Sequence, residues 1–131
     1  MIVGGGPTGV EFAGELSDFL WNDVPRAFPT IQSSEVQVTL LEAGPTILSS
    51  FHQNLIKKAL SALKEQGADI RTHSTVKSVS PDFIELTDGE RIPYGTLVWS
   101  TGVGPLPVID QSPFPKVSHS WLARFLVLSS C

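Results

Sequence analysis

The fold is decided by a glycine-rich stretch near the start of the chain, Ile2-Val3-Gly4-Gly5-Gly6-Pro7-Thr8-Gly9-Val10-Glu11-Phe12-Ala13-Gly14-Glu15-Leu16. An apolar pair runs directly into the glycines and an amphipathic pattern follows them. The stretch therefore predicts a strand, a tight turn and a helix. Gly4 allows a sharp exit from the strand, and Gly9 lets the helix pack closely against the strand. Gly6 has no Cβ, so another group can come close to the backbone there.

The spacing of these three glycines is typical of a turn that holds the diphosphate of a dinucleotide. The helix that follows the turn offers free N–H groups and the positive end of its dipole to an anion. We therefore predict a cofactor site formed by Gly4, Gly5, Gly6, Pro7, Thr8 and Gly9. A glycine turn that only joins two packed elements is the alternative.

The helix itself is predicted to run from about Thr8 to Trp21 or Val24 and to break at Pro25. Its apolar side chains share one face, and we expect that face to be buried. This predicted face consists of Phe12, Ala13, Leu16, Phe19 and Leu20.

A second strand, predicted over residues 36–42, ends on an acid, Glu42. In a βαβ dinucleotide fold, the carboxylate at this point accepts hydrogen bonds from the adenosine ribose. A carboxylate there also repels a 2′-phosphate, so Glu42 favours NAD(H) over NADP(H). A solvated acid at a strand end is the alternative.

The rest of the chain completes an α/β pattern. A second helix closed by Gly67 leads into a short strand at 69–71, and antiparallel structure begins at 76–79. Asp88-Gly89 predicts a hairpin, and a short strand at 97–99 returns into a tight turn. The predicted fold is a Rossmann-like domain with a parallel sheet, helices and an antiparallel β-meander.

Composition bounds the class of protein. With 131 residues, 41% of them hydrophobic, the chain allows one domain with a core. The formal net charge of −4 gives no footprint for nucleic acid. A single cysteine, Cys131, excludes a CxxC pair within the chain, and three scattered histidines lack the spacing of a metal site. We find no targeting or membrane-spanning segment, and the very short first strand suggests a chain clipped at its amino end.

Several motifs together resemble a known family. Their order is similar to that of the NADH-binding half of a flavoprotein with two dinucleotide domains. More narrowly, the chain resembles the type II, non-proton-pumping NADH:ubiquinone oxidoreductases, above all the alternative dehydrogenases of plant and algal mitochondria, over roughly residues 1–108. The motifs that carry this resemblance are GGGPTGVEFAGELSDF (4–19), VTLLEAG (38–44), ILSSF (47–51), LTDGERIPYG (86–95) and LVWSTGVGP (97–105).

The resemblance implies a peripheral enzyme of the mitochondrial inner membrane, which can form a homodimer. In such an enzyme NADH gives a hydride to FAD, and the flavin passes electrons to ubiquinone at the membrane surface. Glu11 matches a family glutamate near the nicotinamide and the flavin, and is our predicted catalytic residue. Thr101 and Gly102 match a return turn beside the nicotinamide. An exposed helix acid and an ordinary packing turn are the respective alternatives.

The chain also departs from the family pattern. Family members carry an earlier FAD domain and a later Ala-(Ile/Leu)-Gly-Asp motif, and in this chain residues 121–131 stand in place of that motif. We therefore expect a fragment in which residues 1–100 form the NAD(H) domain and 101–131 a return segment with a divergent tail. The alternatives are a non-catalytic nucleotide-binding product and a different flavoprotein, such as a dithiol-disulphide reductase or a ferredoxin reductase.

Overall fold

The structure is a computed structural model that describes residues 1–31 and 35–102. Seven strands and three helices follow one another in this part of the chain. They are β1 (Ile2–Val3), α1 (Pro7–Asn22), α2 (Val24–Ala27), β2 (Thr39–Leu41), α3 (Gln53–Glu65), β3 (Asp69–Arg71), β4 (Val76–Val79), β5 (Phe83–Leu86), β6 (Arg91–Pro93) and β7 (Val98–Trp99). The predicted tail at 121–131, and most of the predicted return segment, lie outside the described residues.

The central sheet is parallel, with the strand order β3-β2-β1-β7. Ile2 is in register with Leu40 on one side and with Val98 on the other. All three of these side chains are apolar, because a parallel sheet of this kind is covered on both faces. This arrangement confirms the predicted Rossmann-like fold class.

One face of the sheet carries the helices. Ala13 of α1 and Leu63 of α3 pack in a single core with Ile2 and Leu40. α3 ends just before Gly67, whose φ of +79° is the left-handed conformation typical of a helix end. The two long helices therefore lie side by side on this face.

The other face carries the β-meander. β4, β5 and β6 form a three-stranded antiparallel sheet, and Gly89 in the turn between β5 and β6 has a φ of +92°. The inward side chains of β5, Ile84 and Leu86, pack with Val3 and Leu41 of the central sheet. The predicted hairpin and meander are therefore confirmed, and they form a third layer of the domain.

The predicted buried face of α1 is wrong at two positions. The side chains of Phe12 and Phe19 are 40% and 46% exposed. The fully buried positions of α1 are the small residues Gly9, Ala13 and Ser17, and the predicted Leu16 and Leu20 pack against the core half-buried. Small side chains let the helix axis approach the strands closely, so that the two bulky rings lie beyond the contact.

The second strand is shorter than predicted. β2 covers Thr39–Leu41, whereas the prediction was 36–42.

Among residues 1–31 and 35–102, no helix combines the length and the apolar character that crossing a membrane requires.

Candidate functional site

The glycine turn lies where the carboxyl ends of the parallel strands meet. Gly4 N–H donates to the carbonyl of Leu41 at 2.8 Å, which ties the turn to the end of β2. Gly4 has a φ of +113°, and a Cβ at this position would lie 2.5 Å from the carbonyl oxygen of Ser100. Both conditions exclude a side chain at Gly4.

The other two glycines of the motif have different surroundings. A Cβ on Gly9 would collide with the carbonyl oxygen of Gly4, so that Gly9 allows the close packing of helix on strand. A Cβ on Gly6 would meet no atom within 4 Å. Gly6 is also the N-cap of α1, and no side chain caps this helix end. The first turn of α1 is therefore open on the side where a phosphate could approach.

Glu42 is bound to the turn itself. One carboxylate oxygen, Oε2, accepts a hydrogen bond from Gly5 N–H at 2.6 Å, and the other, Oε1, accepts one from Gly44 N–H at 2.6 Å. Since an ionised carboxylate offers about four acceptor positions, two of them stay available after these bonds. The acid thus braces the turn and still faces the same region.

The loop after β3 borders this acid. Ser74 N–H donates to the backbone carbonyl of Glu42 at 2.9 Å, and His73 N–H donates to that of Gly44 at 2.9 Å. Ser74 is buried, whereas His73 takes a left-handed φ of 55°. The loop is therefore fixed against the end of β2.

These elements enclose a cleft of about 360 Å³. Five of the predicted site residues line it together: Gly4, Gly6, Glu42, Thr101 and Gly102. The other predicted site residues, Gly5, Pro7, Thr8, Gly9 and Glu11, lie outside its lining. Gly5 and Gly9 are buried behind the turn, while Pro7, Thr8 and Glu11 are exposed on α1.

Several residues of the cleft were not predicted from the sequence. Ser74, Thr75 and Val76 line it from the loop after β3, and Trp99 lines it from β7. The only sequence signal for the loop was its place directly after a parallel strand, since loops at this edge of an open α/β sheet commonly hold ligands. Trp99 had a clearer signal, because it directly precedes the predicted return turn.

The residues present fit a dinucleotide. The cleft volume lies within the range of about 300–1,000 Å³ of small-molecule sites. A diphosphate requires open space and free N–H groups, which Gly6 and the uncapped start of α1 provide. A ribose requires a nearby acceptor, and Glu42 provides one with its free lone pairs.

The parallel sheet with its open glycine turn defines a Rossmann-like α/β domain. A family model described as pyridine nucleotide-disulphide oxidoreductase matches residues 1–115. The chain belongs to this family.

Two curated relatives are similar over most of this chain. A Dictyostelium discoideum protein named "Probable NADH dehydrogenase" is 53% identical over 119 residues, which cover 91% of this chain and 26% of that protein. The mitochondrial internal alternative NAD(P)H-ubiquinone oxidoreductase A1 of Arabidopsis thaliana is 47% identical over 116 residues, which cover 88% of this chain and 22% of that protein. These relatives confirm the predicted resemblance to the alternative dehydrogenases.

A solved structure agrees with them. The structure of NDH2 from Plasmodium falciparum in complex with NADH matches with a TM-score of 0.77 and 25% sequence identity, over 84% of this chain and 23% of that chain. The chain thus spans about a quarter of the length of the relatives it matches.

Proposed function

We propose that this chain supplies the NADH site of an FAD-dependent NADH:quinone oxidoreductase. The observation that carries the proposal is the cleft, in which the open backbone at Gly6 lies between Glu42 and the Thr101-Gly102 turn. The family membership and the names of the relatives support the same activity.

The geometry of the cleft supports a separate binding role for each group. The backbone at Gly4 and Gly6 and the uncapped first turn of α1, which includes Pro7, Thr8 and Gly9, hold the diphosphate. Glu42, fixed by Gly5 and Gly44, accepts hydrogen bonds from the adenosine ribose through its remaining lone pairs. Thr101 and Gly102 border the nicotinamide half.

Glu11 is the proposed catalytic residue. Its side chain is exposed on α1 and lies outside the cleft lining. It acts on the nicotinamide carboxamide only when the coenzyme extends from the cleft past the start of the helix. FAD bound by the rest of the enzyme would supply the hydride acceptor and the route for electrons to a quinone. This chain's part is to place and orient the nicotinamide.

The domain boundary, partners and location belong to the proposal as well. Residues 1–100 form the NAD(H)-binding unit, and 101–131 lead toward the FAD-binding part of the parent enzyme. The parent enzyme uses NADH and ubiquinone and lies at the surface of the mitochondrial inner membrane, where it can form a homodimer. The names of mitochondrial NAD(P)H-ubiquinone oxidoreductases among the relatives support this location.

Isothermal titration of the 131-residue chain with NADH and with NADPH tests the proposal. We expect NADH to bind more tightly than NADPH, because Glu42 repels a 2′-phosphate. The Glu42→Gln variant should reduce this preference, while Glu65→Gln, at the far end of α3, should preserve it. Absence of heat with NADH, or tighter binding of NADPH by the unsubstituted chain, would overturn the proposal.

A further inference from the structure

Trp99 is a bulky side chain in an unusual place. It ends β7 and lines the cleft, yet 55% of its surface is exposed. An indole this exposed adds little to the stability of the core, because the gain from burial scales with the apolar area removed from water. More than half of the indole therefore remains accessible to a ligand in the cleft.

The strand order shows which half of a coenzyme would contact Trp99. β1, with the glycine turn, lies between β2 and β7. Glu42 follows β2 on one side of the turn, and Trp99 ends β7 on the other. A dinucleotide whose diphosphate crosses β1 and whose adenosine ribose meets Glu42 must place its nicotinamide half over β7.

The side-chain alternation along β7 selects the same face. Val98 packs with the core on the helix side of the sheet. Trp99 is in register with Val3, whose side chain belongs to the cluster on the meander side. Since successive strand residues point to opposite faces, the indole lies on the meander side, where Val3 and Leu41 also line the cleft.

The chemistry of the two rings is complementary. An indole presents a broad aromatic face, and nicotinamide is a flat ring of similar width. Stacking of a ring of this kind on an aromatic side chain is worth about 1–3 kcal/mol when tested by alanine substitution. We propose that Trp99 is a binding residue that stacks against the nicotinamide ring of NADH. This inference rests on the proposed function.

The experiment compares NADH with ADP-ribose, which has the same adenosine, diphosphate and ribose groups but lacks nicotinamide. Binding of both ligands to the 131-residue chain is measured by isothermal titration for the variants Trp99→Ala, Trp99→Phe and Trp21→Phe. The Trp21 indole donates to the carbonyl of Gln66 and does not line the cleft, so it serves as the matched control.

We expect Trp99→Ala to weaken NADH binding by about tenfold and to leave ADP-ribose binding unchanged. Trp99→Phe should recover most of the NADH affinity, and Trp21→Phe should alter neither ligand. An equal loss for both ligands, or no loss for NADH, would overturn the role of Trp99. If the unsubstituted chain binds the two ligands equally well, the stacking is refuted while the proposed function stands. If it binds neither ligand, the proposed function fails together with the inference.

Discussion

Glu42 and Gly5 are joined by a hydrogen bond of 2.6 Å from the Gly5 N–H to the Glu42 carboxylate, across 37 positions of sequence. The bond links the end of β2 to the turn that follows β1. A Cβ on Gly5 would lie only 2.7 Å from the same carboxylate oxygen, so the contact also depends on the second glycine of the run. The acid predicted to bind a ligand is therefore also part of the frame of the site.

Replacing Glu42 by Gln should lower the free energy of unfolding by about 1–3 kcal/mol. The carboxamide keeps one acceptor oxygen, but its NH₂ group cannot accept, so either Gly5 or Gly44 loses its acceptor. Gly5 is buried, and an unpaired buried N–H is costly. Urea unfolding followed by circular dichroism measures the change.

The matched control is Glu65→Gln, since this acid is exposed at the end of α3 and accepts from the nearby Ser61 hydroxyl. We expect it to change stability by less than about 0.5 kcal/mol. A Glu42→Gln variant as stable as the unsubstituted chain would show that the carboxylate does not brace the turn.

Alanine at Gly6 should mainly weaken NADH binding, whereas alanine at Gly9 should mainly lower stability. Gly6 has a φ of −73° and open space around the position of a Cβ, so Gly6→Ala should cost only about 1 kcal/mol of stability as a poorer N-cap. The new methyl group would enter the space proposed for the diphosphate, so NADH binding should weaken by about tenfold or more.

Gly9→Ala instead forces a methyl group onto the backbone carbonyl of Gly4, which has no flexible side chain to move aside. Overpacking of this kind typically costs about 1–3 kcal/mol. Thermal unfolding and NADH titration of both variants separate the two roles. Equal loss of stability in both variants would contradict the difference in their surroundings.

Short-range patterns predicted much of the fold. The strand at 69–71 and the hairpin around Asp88-Gly89 are found where the sequence placed them. The helix end before Gly67 is also confirmed, and its φ is positive. The hairpin and the helix end depend on turn chemistry within a few residues, which a single sequence displays directly.

The errors and omissions come from contacts between distant segments. Phe12 and Phe19 have the right period for a buried face, but the close approach allowed by Gly9 buries Ala13 and Ser17 and leaves both rings exposed. Ser74 reaches the cleft because β3 pairs with β2, a relationship that no local pattern reveals. The two hydrogen bonds that the Glu42 carboxylate accepts from backbone N–H groups depend on the same kind of tertiary contact.

Glu85 should have a pKa below the ordinary value of a glutamate. A hydrogen bond of 2.6 Å from Lys77 is the main reason that its pKa is lowered, and the charges of Lys77 and then Arg91 act in the same direction. Because the folded pKa lies below the unfolded value, the stabilisation is present above the ordinary carboxyl pKa. It is lost as the pH falls through the folded pKa. NMR titration of the side-chain carboxyl group measures this value.

Lys77→Met keeps the aliphatic stem and removes the charge, so it should raise the pKa of Glu85 toward its ordinary range. Lys64→Met, on the exposed side of α3, should leave it unchanged. The effect on overall stability at neutral pH should be small, since Lys77 is 61% exposed and water screens the pair. If the pKa of Glu85 in the Lys77→Met variant stays as low as in the unsubstituted chain, the ion pair is not the cause of the lowered pKa.

Ser17→Ala should stabilise the protein. Ser17 is 1% exposed, and among the described residues its hydroxyl oxygen has no hydrogen-bond partner. Alanine removes this buried polar atom and is also the better helix former, by about 0.5 kcal/mol. We expect the free energy of unfolding to rise by about 1 kcal/mol, measured by urea unfolding.

The control for this prediction is Ser61→Ala, on the exposed side of α3. It gives the same gain in helix propensity but removes a surface hydrogen bond of 2.9 Å to Glu65, so its net effect should be close to zero. If Ser17→Ala instead lowers stability, the hydroxyl must have a partner, such as a bound water, that supplies the missing hydrogen bond. The narrow stripe on which α1 approaches the sheet would then depend on a polar contact as well as on small side chains.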